Sequence, residues 1–163
     1  MPILAEEPGF LIGAPLTILL NRLEQHVMDG LAEAGFVDLR PAYLPVFQLL
    51  GPHGSRITDM ARKGGTTKQA MGYLVAYLER QGYLRRAPDP SDRRAALVIR
   101  TERGWKVNRI SREIVERVQA NWAGLIGEQE MAILLGHLRN LVAGLGVEYR
   151  GSVADVDVLA THS

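Results

Sequence analysis

Apolar residues recur along most of the chain at steps of three and four, the spacing that lines one face of an α-helix. Behind Pro15, whose fixed φ suits a first helical turn, Leu16, Leu19, Leu20, Leu23, Val27, Leu31 and Ala34 keep that spacing until Gly35 stops it. A helix of about 20 residues is ~30 Å long, more than a small core can cover. Part of its apolar face is therefore expected to meet a second chain. Pro41 opens a shorter helix through Val46, Phe47 and Leu50, ended by Gly51 and Pro52. Ser55-Arg56-Ile57 reads as an extended link, and Thr58 as the N-cap of a third helix over 59–63 that Gly64-Gly65 closes. Thr66 or Thr67 can cap a fourth helix, with Ala70, Leu74, Tyr77 and Leu78 as its apolar stripe and Gly82 as its stop.

Beyond Gly82 the pattern changes. Residues 83–86 and 95–101 read as two strands, and the segment 87–94 between them is too long for a tight turn and carries its charge at the tip. Thr101 then caps a long fifth helix with Ile110, Ile114, Val118, Trp122 and Leu125 on one face. A sixth begins at Glu128 and shows Met131, Leu134, Leu138, Leu141 and Leu145. The expected fold is mainly α with a small β-hairpin. A winged helix-turn-helix core over 37–101 is flanked by long dimerisation helices over 1–36 and 102–150, with a tail over 151–163.

Net charge alone argues against a nucleic-acid partner: the 163 residues sum to +1. Its distribution argues the opposite. Residues 56–112 hold fourteen Lys and Arg against five Asp and Glu, a net of +9, and the two flanks together carry −8. A basic centre between acidic ends suits an anionic partner for the centre only, although a solvated basic face has the same composition. The chain has no cysteine, which excludes a disulfide scaffold, a thiolate zinc site and a cysteine nucleophile, and fits a cytoplasmic location. The apolar stretch from Phe10 to Leu20 is broken by Gly13 and Pro15 and preceded by Glu6 and Glu7, so neither a secretory signal nor a membrane partner is expected.

Candidate chemistry narrows further. His26, His53, His137 and His162 are scattered with no paired spacing, and Gly64-Gly65-Thr66-Thr67-Lys68 lacks the order of a phosphate loop. No catalytic residue, metal or cofactor is expected. The fourth helix instead has the side chains that read DNA from the major groove. Lys68 can reach a phosphate or guanine, Gln69 can pair with adenine, Ala70 can touch a thymine methyl if it is not core, and Thr67, Gly72 and Tyr73 complete the DNA-binding set. Gly72 costs a helix about 1 kcal/mol relative to Ala, and close approach of DNA or of a neighbouring helix would account for it. In the wing, Arg93 and Arg94 suit a minor groove, where negative potential favours arginine. Asp92 more naturally orients an arginine than meets phosphate.

These residues resemble the MarR-type regulators, the multiple antibiotic resistance repressors. The likeness is carried by Thr67-Lys68-Gln69-Ala70-Met71, Leu74, Leu78-Glu79, Gly82-Tyr83, and Asp89-Pro90-Ser91-Asp92-Arg93-Arg94 through Thr101-Glu102-Arg103-Gly104. It runs from about Pro15 to Leu145. The resemblance implies a homodimer on a double-stranded operator, with Arg94 as the minor-groove residue and Asp92 as its partner. It also implies release by a small aromatic or anionic effector. A cleft near His26, Tyr43 and Phe47, where the first two helices meet the fifth, is the expected effector site, though all three also suit packing. Arg100 stands where that family usually has Leu, and the absent cysteine excludes its thiol-based peroxide sensing. Two functions remain open: a dimeric ligand-released regulator, and a winged-helix module for protein assembly or non-specific nucleic-acid binding.

Overall fold

The computed structural model describes residues 11–146, apart from the side chain of Arg93. The expected tail, His162 and the first ten residues lie outside that range. Helix α1 spans Gly13–Glu33, a short 3₁₀ turn Pro41–Tyr43 leads into α2 at Leu44–Leu49, and α3 covers Ile57–Lys63. Helix α4 spans Lys68–Arg80, strands β1 and β2 span Leu84–Asp89 and Asp92–Arg100, and α5 (Glu102–Ile126) and α6 (Glu128–Gly144) complete the chain. This is six helices with one two-stranded antiparallel hairpin among the described residues, as the sequence pattern predicts.

Details of the caps differ from expectation. Helix α1 starts two residues ahead of Pro15, and α3 starts at Ile57 behind Arg56, with no side-chain cap from Thr58. Thr67 does cap α4: its Oγ1 accepts the Ala70 N–H at 3.1 Å. The stripe that α4 buries is Met71, Val75 and Leu78, with Leu74 and Tyr77 only partly covered and Ala70 exposed. Expecting Ala70 in the core placed the stripe one residue early, because Ala70 and Met71 both fit a 3.6-residue period and only packing separates them.

The core lies between the second half of α1, the α2–α4 trio, the base of the hairpin and the first half of α5. Tyr83, Leu31, Met60, Met71, Leu78, Val46 and Val107 are fully buried there. Phe36 and Phe47 both pack on the Tyr83 ring, each with centroids 6.1 Å apart. The motif Thr101-x-x-Gly104 has a plain cause. Thr101 Oγ1 accepts the Gly104 N–H at 3.2 Å and donates to the carbonyls of Gly82 and Tyr83, which draws the start of α5 onto the chain after α4. A Cβ at Gly104 would run into the Tyr83 carbonyl, so only glycine fits.

The hairpin departs most from its forecast. Leu84 pairs with Arg100 and the register runs to Pro88 with Ala96, then slips so that Asp89 faces Asp92. The connection is therefore the tight turn Pro90-Ser91, not an eight-residue loop, and Arg93 and Arg94 belong to β2 just beyond that turn rather than to a loop tip. Asp89 makes the turn possible by accepting from both the Ser91 N–H (2.8 Å) and its Oγ (2.6 Å). Pro88 hides this strand from a reading of sequence alone, yet an outer strand tolerates proline because one of its edges has no ladder to serve. The link at Ser55 bridges Val98 through both backbone hydrogen bonds, 3.0 and 2.9 Å.

Candidate nucleic-acid interface

Because Met71, Val75 and Leu78 anchor α4 from one side, its first turn stands out of the core. Thr67, Lys68, Gln69, Ala70 and Tyr73 are all exposed, Tyr73 to 69%. Gln69 Nε2 approaches Tyr73 Oη at 3.5 Å. A Cβ at Gly72 would meet nothing within 4 Å, so no neighbouring helix demands a glycine there. Of the two reasons expected for Gly72, only an external surface survives. Exposed Arg62 and Lys63 end α3 just ahead of the turn, adding positive charge to that of Lys68 and of the α4 N-terminus itself.

The wing is fixed by charge. Asp89 is buried, 5% exposed, and the Arg56 guanidinium at the head of α3 donates to it at 2.6 Å and to Ser91 Oγ at 3.3 Å. Hydrogen bonds from Ser91, followed by those of Arg56, hold the Asp89 carboxyl at about 2, well below its ordinary value. Asp92 accepts the Arg94 backbone N–H at 3.0 Å and lies 3.8 Å from Arg56. Its partner is thus the Arg94 main chain and a distant cation, and the exposed Arg94 side chain points free of it. At the other end of β2, Arg100 turns inward. Its two terminal nitrogens donate to the carbonyls of Phe47 (2.6 Å), Leu50 (2.8 Å) and Gly51 (3.0 Å), and the guanidinium lies 4.7 Å from the Trp105 ring centre. Burial lowers its pKa to about 10, so it stays charged at neutral pH.

Sequence reasoning missed Arg56 and Asp89. An Asp two residues ahead of Ser91 is a readable turn signal, but nothing local points from Asp89 to an arginine 33 residues away. Arg100 is noticeable as one cation ending an apolar run, though its partners are not. The three expected effector residues separate: Phe47 is buried in the core, Tyr43 stacks on Tyr77 with centroids 4.5 Å apart, and His26 is exposed on α1. A cleft of about 440 Å³ opens elsewhere, between Ala34–Phe36 and the first turns of α5. Among the described residues, no three His, Asp or Glu side chains gather as a metal site requires, and no helix is long and apolar enough to cross a membrane.

A short capped helix that presents polar residues beside a braced hairpin defines a winged helix-turn-helix of the DNA-binding kind. Residues 37–95 match the family model of the MarR family. The chain is 25% identical to the transcriptional repressor CouR bound to a 23-mer DNA duplex, with a TM-score of 0.65 over 87% of this chain and 99% of that one. CouR from Rhodococcus jostii RHA1 bound to p-coumaroyl-CoA is similar at 23% identity and TM-score 0.64, covering 86% of this chain and 95% of that one. The MarR family protein Rv2887 of Mycobacterium tuberculosis, in complex with salicylic acid, is similar at 22% identity and TM-score 0.60, covering 85% and 99%. None of the curated proteins matches the chain by sequence. Residues 37–95 thus match the MarR family, and the fold of the chain is similar to that of winged-helix transcription regulators of this type.

Proposed function

We propose that the chain is a dimeric repressor that binds a pseudo-palindromic operator and leaves it when a small aromatic or anionic ligand binds. In this reading the α4 N-terminus enters the major groove, where Lys68 and Gln69 meet base edges and Thr67, Ala70 and Tyr73 flank them. Gly72 lets the backbone come close. Arg94, with Arg93 beside it in β2, reaches the minor groove, and Asp92 sets the backbone that carries Arg94. The observation that carries the proposal is the outward-facing, Thr67-capped first turn of α4 beside a wing braced on α3 by Arg56 and Asp89.

Dimerisation is supported by the ends of the chain. In α1, Leu16, Ile18, Leu19 and Leu20 are 44–66% exposed, and α6 leaves Ile133, Leu134, Leu138 and Leu141 37–55% exposed. Apolar faces of this extent on the two end helices suit burial against a second copy, which supports a reading with dimerisation lobes over 1–36 and 102–150. Support for a ligand comes from the similar proteins solved with p-coumaroyl-CoA and salicylic acid.

Light scattering at micromolar concentration should give twice the 18.0 kDa of one chain. The protein should bind DNA from upstream of its own coding region with half-sites about 10 bp apart, and bind scrambled DNA far more weakly. A monomer, or equal affinity for both DNAs at all salt concentrations, would refute the reading.

A further inference from the structure

At the foot of the hairpin one arginine serves three elements. Arg100 is the last residue of β2, paired with Leu84 of β1, and the residue after it already caps α5. Strand alternation puts its side chain on the same face as buried Val98, against the end of α2. There its terminal nitrogens donate to the carbonyls of Phe47, Leu50 and Gly51, where the helix runs out and its carbonyls lack intrahelical donors. The guanidinium also lies 4.7 Å from the ring centre of Trp105, in the first turn of α5.

Stability alone does not call for this charge. Nε is buried with no hydrogen-bond partner among the described residues, and no carboxylate offsets the burial of the cation. A leucine would fill the same place without the cost of desolvating a guanidinium. It could not, however, hold three carbonyls at once. Charged hydrogen bonds from a planar fork fix an angle, and apolar contact does not. The neighbouring loop is closely built around the same joint. A Cβ at Gly54 would run into the Val98 carbonyl and the Ile99 side chain, so the loop after α2 lies directly on β2. Gly51 is held at both its polar groups: Ser55 Oγ accepts its N–H at 3.0 Å, and Arg100 donates to its carbonyl.

We propose that Arg100 is a positioning residue for the wing: by gripping the end of α2 it sets the angle at which the hairpin leaves the core. That angle decides where Arg94 stands relative to Gln69. Six residues of strand separate Arg100 from Arg94, a lever of ~20 Å, so a tilt of about 10° at the foot moves Arg94 by about 3 Å. Arg56 holds Asp89 near the tip, and two fixed points set a line. With the foot released, the hairpin can pivot about the Arg56 contact. The consequence for DNA rests on the proposed reading of α4 and the wing as DNA contacts; the angle itself does not.

Spin-label distances test the angle without DNA. The chain has no cysteine, so Gln48→Cys on α2 and Pro90→Cys at the wing tip, both exposed positions, carry the two labels. Labelled protein is diluted into excess unlabelled chain, which leaves one labelled copy in any assembly. The distance should be narrow in the otherwise native chain, broad with Arg100→Leu, and intermediate with Arg100→Lys, which keeps the charge but not the fork. If Arg100→Leu does not fold, the lysine variant decides. A narrow, unchanged distance in whichever variant folds overturns the assignment, because a residue needed only for stability leaves the folded geometry alone.

Double-mutant cycles on operator DNA test what the angle is for. In the native chain Arg94→Ala should lower the slope of log K against log salt by about one per wing. In the folded Arg100 variant the same change should add little, since the wing has already lost its aim, while Gln69→Ala should cost as much as before. An Arg94→Ala effect of full size in both chains overturns the role in DNA binding, and so does loss of the Gln69→Ala effect, which marks general damage. A broadened distance with no Arg94→Ala effect even in the native chain keeps Arg100 as the hairpin's positioning residue and rejects the wing as a DNA contact.

Discussion

Helix α4 is held by Met71, Val75 and Leu78, apolar side chains sunk into the core, while the wing is held by Arg56 on Asp89 at one end and Arg100 on three carbonyls at the other. The helix owes its place to burial, which is non-directional, and the hairpin to charged hydrogen bonds, which fix angles. A reading helix needs a firm seat, since base edges are recognised within a few tenths of an ångström. A wing that follows groove width needs a set direction with little bulk. Salt and acid should therefore act on the wing, and cavities on the helix.

The largest effect expected from this contrast is at the helix seat. Met71→Ala should cost about 2–5 kcal/mol in urea unfolding by removing a fully buried side chain, and a value under about 1 kcal/mol would mean that α4 is held by something else. Next come the two DNA-facing surfaces. Gln69→Ala should cost about 1–3 kcal/mol of operator affinity and relax preference at one base pair per half-site. Arg94→Ala should instead weaken binding to all sequences alike and lower the slope of log K against log salt by about one per wing. Affinities at four salt concentrations on operator and scrambled DNA separate them. Should Gln69→Ala retain full sequence preference, α4 is not the reading element.

Loss of the Thr67 cap is smaller. Thr67→Ala should cost about 1 kcal/mol of stability, and Thr67→Ser much less, because a serine hydroxyl can accept the same N–H. The smallest effect is on pH. The Asp89 carboxyl sits at about 2 in the folded chain against 3.8 when free, so its contribution is complete above about 4 and is lost as pH falls toward 2. Acid titration should loosen the wing, read by hydrogen exchange at Ser91 and Arg94, before it loosens α4. In Asp89→Asn that acid step should vanish, and its persistence would place the lock elsewhere.

Six helices, their order, the Thr101 cap, a cap at Thr66 or Thr67 and the hairpin were all legible in advance, and so was the basic centre between acidic ends. Each of these is a local matter: helical spacing, a hydroxyl one turn ahead of its N–H, a glycine past a helix end, charge counted along the chain. The same local rules misplaced the stripe at Ala70, because two adjacent residues satisfy one period. They also cut the hairpin short at Pro88, because a strand propensity cannot show that the proline lies on an outer edge. The exposed polar residues of the first turn of α4 came from a pattern read within a single turn.

What only the folded chain decides is the company of the charged side chains. Arg56 meets Asp89 across 33 residues, Asp38 meets Arg103 across 65, and Arg100 reaches Phe47 across 53. Side-chain periodicity says which face of a helix or strand is wet, but an ion pair depends on where two elements distant in sequence are brought together by the core. That placement follows from the burial of Tyr83, Phe36 and Phe47 against one another, and burial has no direction along the sequence. Local energies therefore suffice for the elements and for the exposed face at the start of α4. The wing's brace and the cleft beside α5 exist only once the elements have packed.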